Sequence, residues 1–532
     1  MCLASCSGIF DDFQSEPAPN GEIQDSYISI SLKSADAGMR ADVAAYQDGT
    51  SAERTVKSAY FFFFQNGEPF PVTVTDNAVS GPGSGENFLA AALTNTDPAS
   101  GSYPNVADIK EVVLLLKNYK GHHPNQIVTI INWVPVTGKS YTMEELKKEV
   151  AIQSEKGFVM SNAVYADNAG RAIEATPLTI SDIFSSEEEA KDSPIQIYVE
   201  RIAAKVSVTT NTAVPFDINK SVSINGAATN VYAKITGWEL YNEYQKSYLL
   251  KHINPTWKDS DFGFYWNSAL YCRSYWAMSP MTAWGTDNAF MWNGGKAAGL
   301  AANTAQGIYA ENTFDYCGEN TYREQADRTK IILKAQLVKA DGTTSVELAK
   351  WYGTYYIGEE NLLTAVANTM VNTYLYQKNE SYNSIESSDL KCYAENGKVY
   401  FTLSETGKEK SWYKYVNGSY DTMASADINI DLKKVQPAVI YKNGQTYYYF
   451  DIKHLGDTGT DAEYGVVRNH IYNININSIS GYGSPVYDPN SLIETPEYPD
   501  ISLESSSFVS AQVNVLSWRM VSQGVDITTP AN

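Results

Sequence analysis

YISISL, residues 27 to 32, decides the fold class. Its apolar side chains Ile28, Ile30 and Leu32 alternate with two serines. This period of two places the apolar residues on one face of a β-strand and the serines on the other. The stretch therefore predicts a strand with one buried face close to the start of the chain.

The same β pattern recurs along the chain. The other stretches are rich in Tyr, Val, Ile and Thr, and Gly, Asn, Asp or Pro turns separate them. They span residues 58–65, 127–134, 195–210, 231–241, 329–339, 446–454 and 470–479. Without a regular alternation of strands and helices, this pattern predicts a mainly β chain built as Greek-key sandwiches.

One helix is predicted over residues 142–152. Thr142 and Glu145 form a T-x-x-E capping box, in which each side chain bonds the backbone of the other residue. Leu146 and Val150 follow on one face of this helix. We expect a few such short helices between the strands.

The length of the chain implies more than one domain. Its 532 residues exceed one ordinary hydrophobic core. We place the boundary near residues 215–230, where INGAATN interrupts the strands. The predicted units are a leader and tether (1–26), an N-terminal β-sandwich (27–222) and a C-terminal β-sandwich (223–532).

Charge and composition exclude several functions. The net charge of −21 offers no basic surface for nucleic acid or for an anionic membrane. No run of 18 apolar residues follows the leader. Besides two leader cysteines there are only Cys272, Cys317 and Cys392, which form neither a zinc motif nor a disulfide framework, although one pair could be bridged.

The tetrapeptide LASC, residues 3–6, has the form of a bacterial lipobox, in which Cys6 receives a lipid. The polar, acidic residues 7–26 suit a tether between a membrane anchor and a folded body. The charged and apolar regions that precede such a site are absent from the five residues upstream. The true start codon is open, and the other interpretation is a chance tetrapeptide.

Five segments together resemble one protein family. They are SYISISL (26–32), FVMSNAVY (158–165), YVERIAAKVSV (198–208), YGVVRNHIYNININSISGYGSPVYDP (464–489) and FVSAQVNVLSWRMVSQGVDI (508–527). In this order they resemble the major fimbrial subunits of Bacteroidales, the fimbrilins of type V pili. The resemblance implies two transthyretin-like sandwich domains. Residues 255–325 are less similar to the family.

The resemblance also implies a maturation step. In fimbrilins a lipidated precursor reaches the cell surface, where an Arg-specific protease cuts a loop after the first strand and releases that strand. The matching bond here is Arg40–Ala41, in a Gly-, Ala- and Asp-containing segment that we expect to be exposed, so that residues 27–40 would be removed. Arg54 is the alternative cleavage site, and the other interpretation makes Arg40 a solvated loop charge.

The C-terminal segment is the implied replacement strand. Within residues 508–527, Val509, Ala511, Val513 and Val515 share one face. Three or four such side chains could contribute on the order of 5 to 10 kcal/mol before ordering costs. Exchange of this kind does not close on itself and would build a filament. The sequence cannot distinguish a donated strand from an ordinary last strand of the same domain.

A second candidate function comes from aromatic residues. The segment from 257 to 292 contains Trp257, Trp266, Trp276, Trp284 and Trp292. Aromatic rings stack on sugar faces, so this region could bind a glycan or a host ligand, although the same rings also pack in cores. The sequence shows no catalytic motif, metal site or cofactor site, and we do not expect an enzyme.

The favoured prediction is therefore a stalk subunit of a cell-surface fimbria that supports adhesion and biofilm formation. Its partners would be other copies of itself, accessory fimbrial subunits, an Arg-specific surface protease and, before cleavage, the outer membrane through its lipid. The alternatives are a surface lipoprotein with a glycan or host ligand, and a fimbrial anchor or tip subunit.

Overall fold

A computed structural model describes most of the chain. The described residues are 26–34, 50–71, 79–80, 85–91, 112–116, 123–152, 157–166, 172–184, 187–210, 215–224, 227–242, 246–252, 314–322, 325–395, 398–454, 463–487 and 508–517. Within this part of the chain, no helix has both the length and the apolar character needed to cross a membrane.

The first half of the chain is a series of strands with three short helices. The strands are β1 (Ser26–Ser34), β2 (Ala59–Gln65), β3 (Glu68–Pro69), β4 (Val79–Ser80), β5 (Phe88–Ala91), β6 (Val112–Leu116), β7 (Gln126–Ile131), β8 (Val150–Ile152), β9 (Met160–Asn162), β10 (Tyr165–Ala166), β11 (Ala172–Ile173), β12 (Thr176–Pro177) and β13 (Ile195–Arg201). The helices are α1 (Ser51–Arg54), α2 (Met143–Lys148) and α3 (Glu187–Asp192).

Ten of these strands form one sheet, in the order β4-β5-β2-β7-β9-β13-β1-β6 with β3 and β12 at the side. Its strand β2 is buried on both faces because it carries four consecutive phenylalanines. Phe61 and Phe63 lie in one core with Ile197 of β13. Phe62 and Phe64 lie in a second core on the opposite face. A continuous apolar run thus marks a strand that is covered on both sides.

The predicted helix over 142–152 is correct in its start and wrong in its end. The capping box between Thr142 and Glu145 is present. However, Glu149 is already extended, with φ −64° and ψ 140°. Val150 does not lie on a helix face but begins β8, because this β-branched segment pairs with residues 246–248.

The second half of the chain continues with strands β14 to β32. They are β14 (Ala203–Thr210), β15 (Phe216–Ile224), β16 (Ala227–Tyr241), β17 (Lys246–Tyr248), β18 (Phe314–Gly318), β19 (Lys330–Val338), β20 (Leu348–Trp351), β21 (Thr354–Ile357), β22 (Leu375–Lys378), β23 (Ser381–Ser384), β24 (Leu390–Glu395), β25 (Lys398–Leu403), β26 (Trp412–Val416), β27 (Ser419–Met423), β28 (Val439–Tyr441), β29 (Gln445–Asp451), β30 (His470–Ser480), β31 (Ser484–Pro485) and β32 (Phe508–Ser517). The helices are α4 (Gly358–Thr369), α5 (Glu405–Glu409) and α6 (Ser425–Lys433).

Two sheets enclose the C-terminal core. A four-stranded sheet has the order β18-β14-β30-β32, and a five-stranded sheet has the order β15-β16-β19-β29-β31. Val206 of β14 and Ile474 of β30 share one buried core with Val231 of β16 and Leu333 of β19. This is a β-sandwich, and the predicted mainly β fold is confirmed.

An inserted unit separates two neighbouring strands of that sandwich. Strands β19 and β29 pair with each other, yet the chain between them carries β20 to β28 and helices α4 to α6. This unit has its own core, which includes Trp351, Leu362, Trp412 and Ile428. The predicted C-terminal sandwich (223–532) included this unit without a boundary.

The chain leaves the first group of cores and enters the C-terminal core at Ile202–Ala203. Ile202 belongs to the core beneath α2, and Ala204 already belongs to the C-terminal core. Because β13 and β14 follow each other with only Ile202 between them, one stretch of chain serves both sheets. The division at residues 215–230, and with it the set of three units, stays a prediction.

Candidate functional site

The predicted first strand β1 has a partner on each edge. It runs parallel to β13, with Ile30 opposite Ile195 and Leu32 opposite Ile197. On its other edge it runs antiparallel to β6, with Ile28 opposite Leu114. Loss of β1 would therefore leave two strands with unpaired backbone groups facing one gap.

Strand β30 lies on the same side of the β13–β14 segment as β1. Along an extended strand, the backbone polar groups of alternate residues point to opposite edges. The carbonyl of Tyr198 accepts from Ala163 beside β9, whereas the carbonyl of Ala203 accepts from the amide of Asn469 (2.8 Å). The backbone amides and carbonyls of the odd-numbered residues in this segment thus point away from β9, toward both β1 and β30.

Asn469 lies between the end of the β1–β13 ladder and the start of the β14–β30 ladder. Its side-chain oxygen accepts a long bond from the amide of Arg201 (3.4 Å). The register to β1 ends at Val199, and the register to β30 begins at Lys205. Asn469 therefore occupies the interval between the ladders, with a positive φ of 56° that turns the chain into β30.

The C-terminal strand β32 lies on the outer edge of β30. Its four predicted apolar positions are in register with that strand: Val509 with Ile479, Ala511 with Ile476, Val513 with Ile474, and Val515 with Tyr472. In a single chain the strand is therefore paired intramolecularly. Its donation to another chain stays a proposal.

A carboxylate just after the predicted cleavage segment joins both halves of the protein. Glu53 of α1 is 1% exposed. Its Oε1 accepts from Lys205 Nζ of β14 (2.9 Å) and from the hydroxyl of Tyr316 of β18. Its backbone carbonyl accepts from Arg201 Nε (2.8 Å). Glu53 was not predicted as a site residue.

Burial and hydrogen bonding act in opposite directions on the Glu53 carboxyl. Burial by itself would raise its pKa, but bonds from Tyr316, Lys205 and the Thr50 amide stabilise the charged form and lower the pKa below its usual value. Burial, together with the bond to the Glu53 carboxylate, raises the pKa of Tyr316 well above its usual value. Glu53 is therefore ionised at neutral pH, and Tyr316 remains a hydrogen-bond donor.

Two further ion pairs lie in the interior around the point where the chain passes from β13 to β14. We call this region the junction. Arg468 donates to Glu319 through Nε (3.1 Å) and Nη2 (2.9 Å), and both side chains are fully buried. Arg468 also donates to the carbonyls of Tyr248 and Leu249. Lys251 lies 3.5 Å from Glu200, again with both side chains fully buried. Burial raises the pKa of Glu200 despite the positive charge of Lys251.

Two buried histidines adjoin these pairs. The ring nitrogen Nδ1 of His470 lies 2.7 Å from the carbonyl oxygen of Arg468. Nδ1 of His454 lies 2.9 Å from the hydroxyl of Tyr472, and that hydroxyl accepts from the amide of Val467. Burial first, and then the nearby His454 and Lys251, lower the pKa of His470 well below its usual value.

Of the two predicted cleavage sites, only one lies among the described residues. Arg54 ends α1, directly after the buried Glu53, and the capping box of Thr50 and Glu53 holds this helix. A protease needs an extended and accessible chain, so this bond is poorly presented. Arg40, Ala41 and the lipidation residue Cys6 lie outside the described residues.

The predicted ligand platform of Trp257, Trp266, Trp276, Trp284 and Trp292 also lies outside the described residues. Exposed aromatic side chains instead occur on the inserted unit. Tyr415 and Tyr420 face each other across the Asn417–Gly418 turn of β26 and β27, and Tyr382 stacks on Tyr420 with ring centroids 3.6 Å apart. The Asn-Gly turn between YKYV and SYDT is the signal that could have indicated this hairpin.

Cysteine and metal chemistry are limited in the described part of the chain. Cys317 and Cys392 are buried thiols that are not bridged to each other, while Cys272 lies outside the described residues. No group of three or more His, Cys, Asp or Glu side chains is placed to hold a metal ion among the residues that the structure describes.

Comparison with protein families links this geometry to fimbriae. Residues 439–524 match the family described as "Major fimbrial subunit protein type IV, Fimbrillin, C-terminal". The matched region begins at β28 and includes β30 and β32. The match confirms the resemblance to fimbrial subunits that the sequence segments indicated. No curated protein matches the chain.

Solved structures give distant similarities. A fimbrilin from Porphyromonas gingivalis W83 is 12% identical, with 93% of this chain and 98% of that chain covered and a TM-score of 0.35. A C-terminally truncated tip fimbrial protein from Porphyromonas gingivalis is 10% identical, with 93% and 100% covered and a TM-score of 0.30. A fimbrial assembly protein from Parabacteroides distasonis ATCC 8503 is 9% identical, with 75% and 100% covered and a TM-score of 0.27.

Proposed function

We propose that this fimbrial subunit is a stalk subunit that polymerises head to tail by strand exchange at the cell surface. The precursor carries a lipid on Cys6 at the outer membrane. An Arg-specific protease then cuts Arg40–Ala41, and β1 leaves with the lipid. The C-terminal strand of another copy, or of an accessory subunit, fills the gap.

The position of β1 carries this proposal. A strand between β13 and β6 is bound on both edges by backbone bonds, yet it is the first of the described strands and precedes the predicted cut. Its removal would take no other described strand with it. After removal of β1, β13 keeps β9 on its other edge, whereas β6, which in the described sheet pairs with β1, loses its strand partner. Strand β13 would therefore be the template on which a new strand forms.

The C-terminal strand supports the other half of the exchange. Among the described strands, β32 is at the edge of its sheet and pairs with β30 alone. An edge strand can leave without breaking the sheet behind it, because the β14–β30 ladder remains. Its departure would expose the outer edge of β30, so an exchanged chain would need a new cover there.

The choice of Arg40 as the cleavage site is supported by the position of the alternative arginine. Arg54 is half-buried and is held in α1, next to the buried Glu53, and the helical conformation makes it a poor substrate. Lys33 lies within β1, opposite Tyr198, and would not serve an Arg-specific enzyme. Arg40 is therefore the bond of choice, in the segment that connects β1 to α1.

The N-terminus and intact mass of the protein, taken from the surface of its own cells, test the proposal. A chain that starts at Ala41 is the expected result and means that the lipid and β1 are discarded. A diacylated Cys6 on the full chain would overturn the stalk assignment. The protein would then be an anchor, or a surface lipoprotein that binds a glycan or host ligand.

A further inference from the structure

The proposed cut at Arg40–Ala41 separates an N-terminal part that leaves from a remainder that stays. Glu53 belongs to the remainder. It lies on α1, after the segment that contains Arg40. The helix is fixed locally by a capping box, in which Thr50 Oγ1 accepts from the Glu53 amide (3.3 Å) and Glu53 Oε2 accepts from the Thr50 amide (2.6 Å). One carboxylate oxygen thus closes the start of the helix.

The other described bonds of Glu53 run to residues just beyond the end of the gap that β1 would leave. Lys205 on β14 and Tyr316 on β18 share its other oxygen, and Arg201 at the end of β13 bonds its backbone carbonyl. Lys205 Nζ also lies 4.0 Å from the ring centroid of Phe314. These donors come from both sides of Ile202, where the chain passes from one core to the other.

The bonds of Glu53 do not depend on β1. Strand β1 covers β13 only from Ile195 to Val199, whereas Glu53 holds Arg201 and Lys205. When β1 leaves, β13 loses the partner on one edge and keeps β9 on the other. A strand that has lost one neighbour is free to twist or fray unless something else fixes it.

We infer that Glu53 is the positioning residue that keeps β13 and β14 aligned, as a ready acceptor, after β1 has been removed. The inference rests on the proposed strand exchange. Buried ion pairs of this kind contribute geometry more than net stability, because desolvation offsets much of their attraction. A fixed acceptor binds a strand more tightly because less ordering remains to be done at the moment of binding.

The test compares Glu53→Gln with a matched control. Glu239→Gln removes the charge of another buried carboxylate, which pairs with Lys334 at 3.0 Å inside the C-terminal sandwich. Both variants are made in the full chain with a site-specific protease sequence inserted after Arg40, so that the cut does not depend on the natural protease. Tyr316→Phe, which removes one bond and no charge, serves if Glu53→Gln fails to fold.

Two measurements are made after the cut. The first is amide hydrogen exchange over residues 195–210. We expect exchange there to rise at least tenfold in Glu53→Gln and to stay at the wild-type rate in Glu239→Gln, although both substitutions lower the melting temperature. The second is binding of a synthetic peptide with the sequence of residues 508–527, which we expect to weaken at least tenfold in Glu53→Gln alone.

The outcomes separate the two ideas. Wild-type exchange rates over residues 195–210 in cut Glu53→Gln, or in Tyr316→Phe if the former does not fold, overturn the positioning role. Equal increases in Glu53→Gln and Glu239→Gln also overturn it, because they indicate general destabilisation. Failure of the cut wild-type protein to bind the peptide contradicts the proposed strand exchange, while the exchange rates still decide the role of Glu53.

Discussion

The backbone amide of Asn469 donates to the carbonyl oxygen of Ala203 at 2.8 Å. This bond aligns β30 with β14, which continues the chain from β13, the strand that pairs with β1. Because the side-chain oxygen of Asn469 reaches the amide of Arg201, one residue continues the ladder between the two sheets. The gap left by β1 would therefore end at Asn469, and β30 begins at the next residue.

Substitution of Asn469 separates its backbone role from its side-chain role. Asn469→Gly keeps the positive φ at no steric cost and loses only the side-chain bonds, so we expect a loss of about 1 kcal/mol. Asn469→Ala loses the bonds and also strains the backbone, and we expect about 2 to 3 kcal/mol. Urea denaturation measures both. Equal losses in the two variants would contradict the role of φ.

The Arg468–Glu319 pair should be among the most sensitive positions in the chain. Arg468→Ala leaves a buried carboxylate without its main partner, so we expect the free energy of unfolding to fall by about 3 to 5 kcal/mol. The control is Lys433→Ala, which breaks an exposed pair with Glu395. We expect the control to unfold at the same urea concentration as the wild type. A small effect of Arg468→Ala would show that the junction relaxes or admits water.

Acid should destabilise the protein through His470. Its pKa is well below the usual value in the folded protein, mainly because of burial. Between that value and the unfolded pKa of about 6.5, the unfolded chain binds a proton that the folded chain does not. Stability should therefore fall as the pH falls below about 6.5.

His470→Asn removes this titration. The free energy of unfolding is measured for both proteins between pH 8 and pH 5, and the difference between the two curves isolates the histidine. We expect the variant to lose less stability across that range. Glu200 has a raised pKa and contributes a slope of the opposite sign, but it does so in both proteins alike. Parallel curves would mean that His470 has the same pKa in the folded and the unfolded protein, which contradicts the lowered pKa.

The sequence predicted the strands better than the junction, for a physical reason. Local alternation and apolar runs, such as the four phenylalanines of β2, are written in neighbouring residues. By contrast, Glu53 bonds Tyr316, which lies 263 positions away in the chain. No local sequence pattern around either residue predicts this contact. The end of α2 was misplaced because Val150 suits a helix face and a strand equally well, and only its pairing with Tyr248 decides.

Cleavage should depend on Arg40 and not on Arg54. Arg40→Ala should leave the precursor folded and lipidated but uncut, whereas Arg54→Ala should mature normally because α1 withholds that bond. Mass spectrometry of the surface protein measures both. Maturation of Arg40→Ala together with failure of Arg54→Ala would mean that α1 opens before the protease acts.

Removal of residues 508–532 should stop chain growth without unfolding the subunit. The deletion takes away β32 and exposes the edge of β30, but it leaves the β14–β30 ladder and the core of the sandwich in place. Deletion of residues 518–532 alone is the matched control, because it keeps the strand. If β32 is donated, the longer deletion gives folded monomers that still accept the peptide 508–527 after cleavage, and the shorter deletion still polymerises. If β32 is only the last strand of its own domain, the longer deletion unfolds the sandwich. The fraction of chains that still folds would then form filaments as the wild type does.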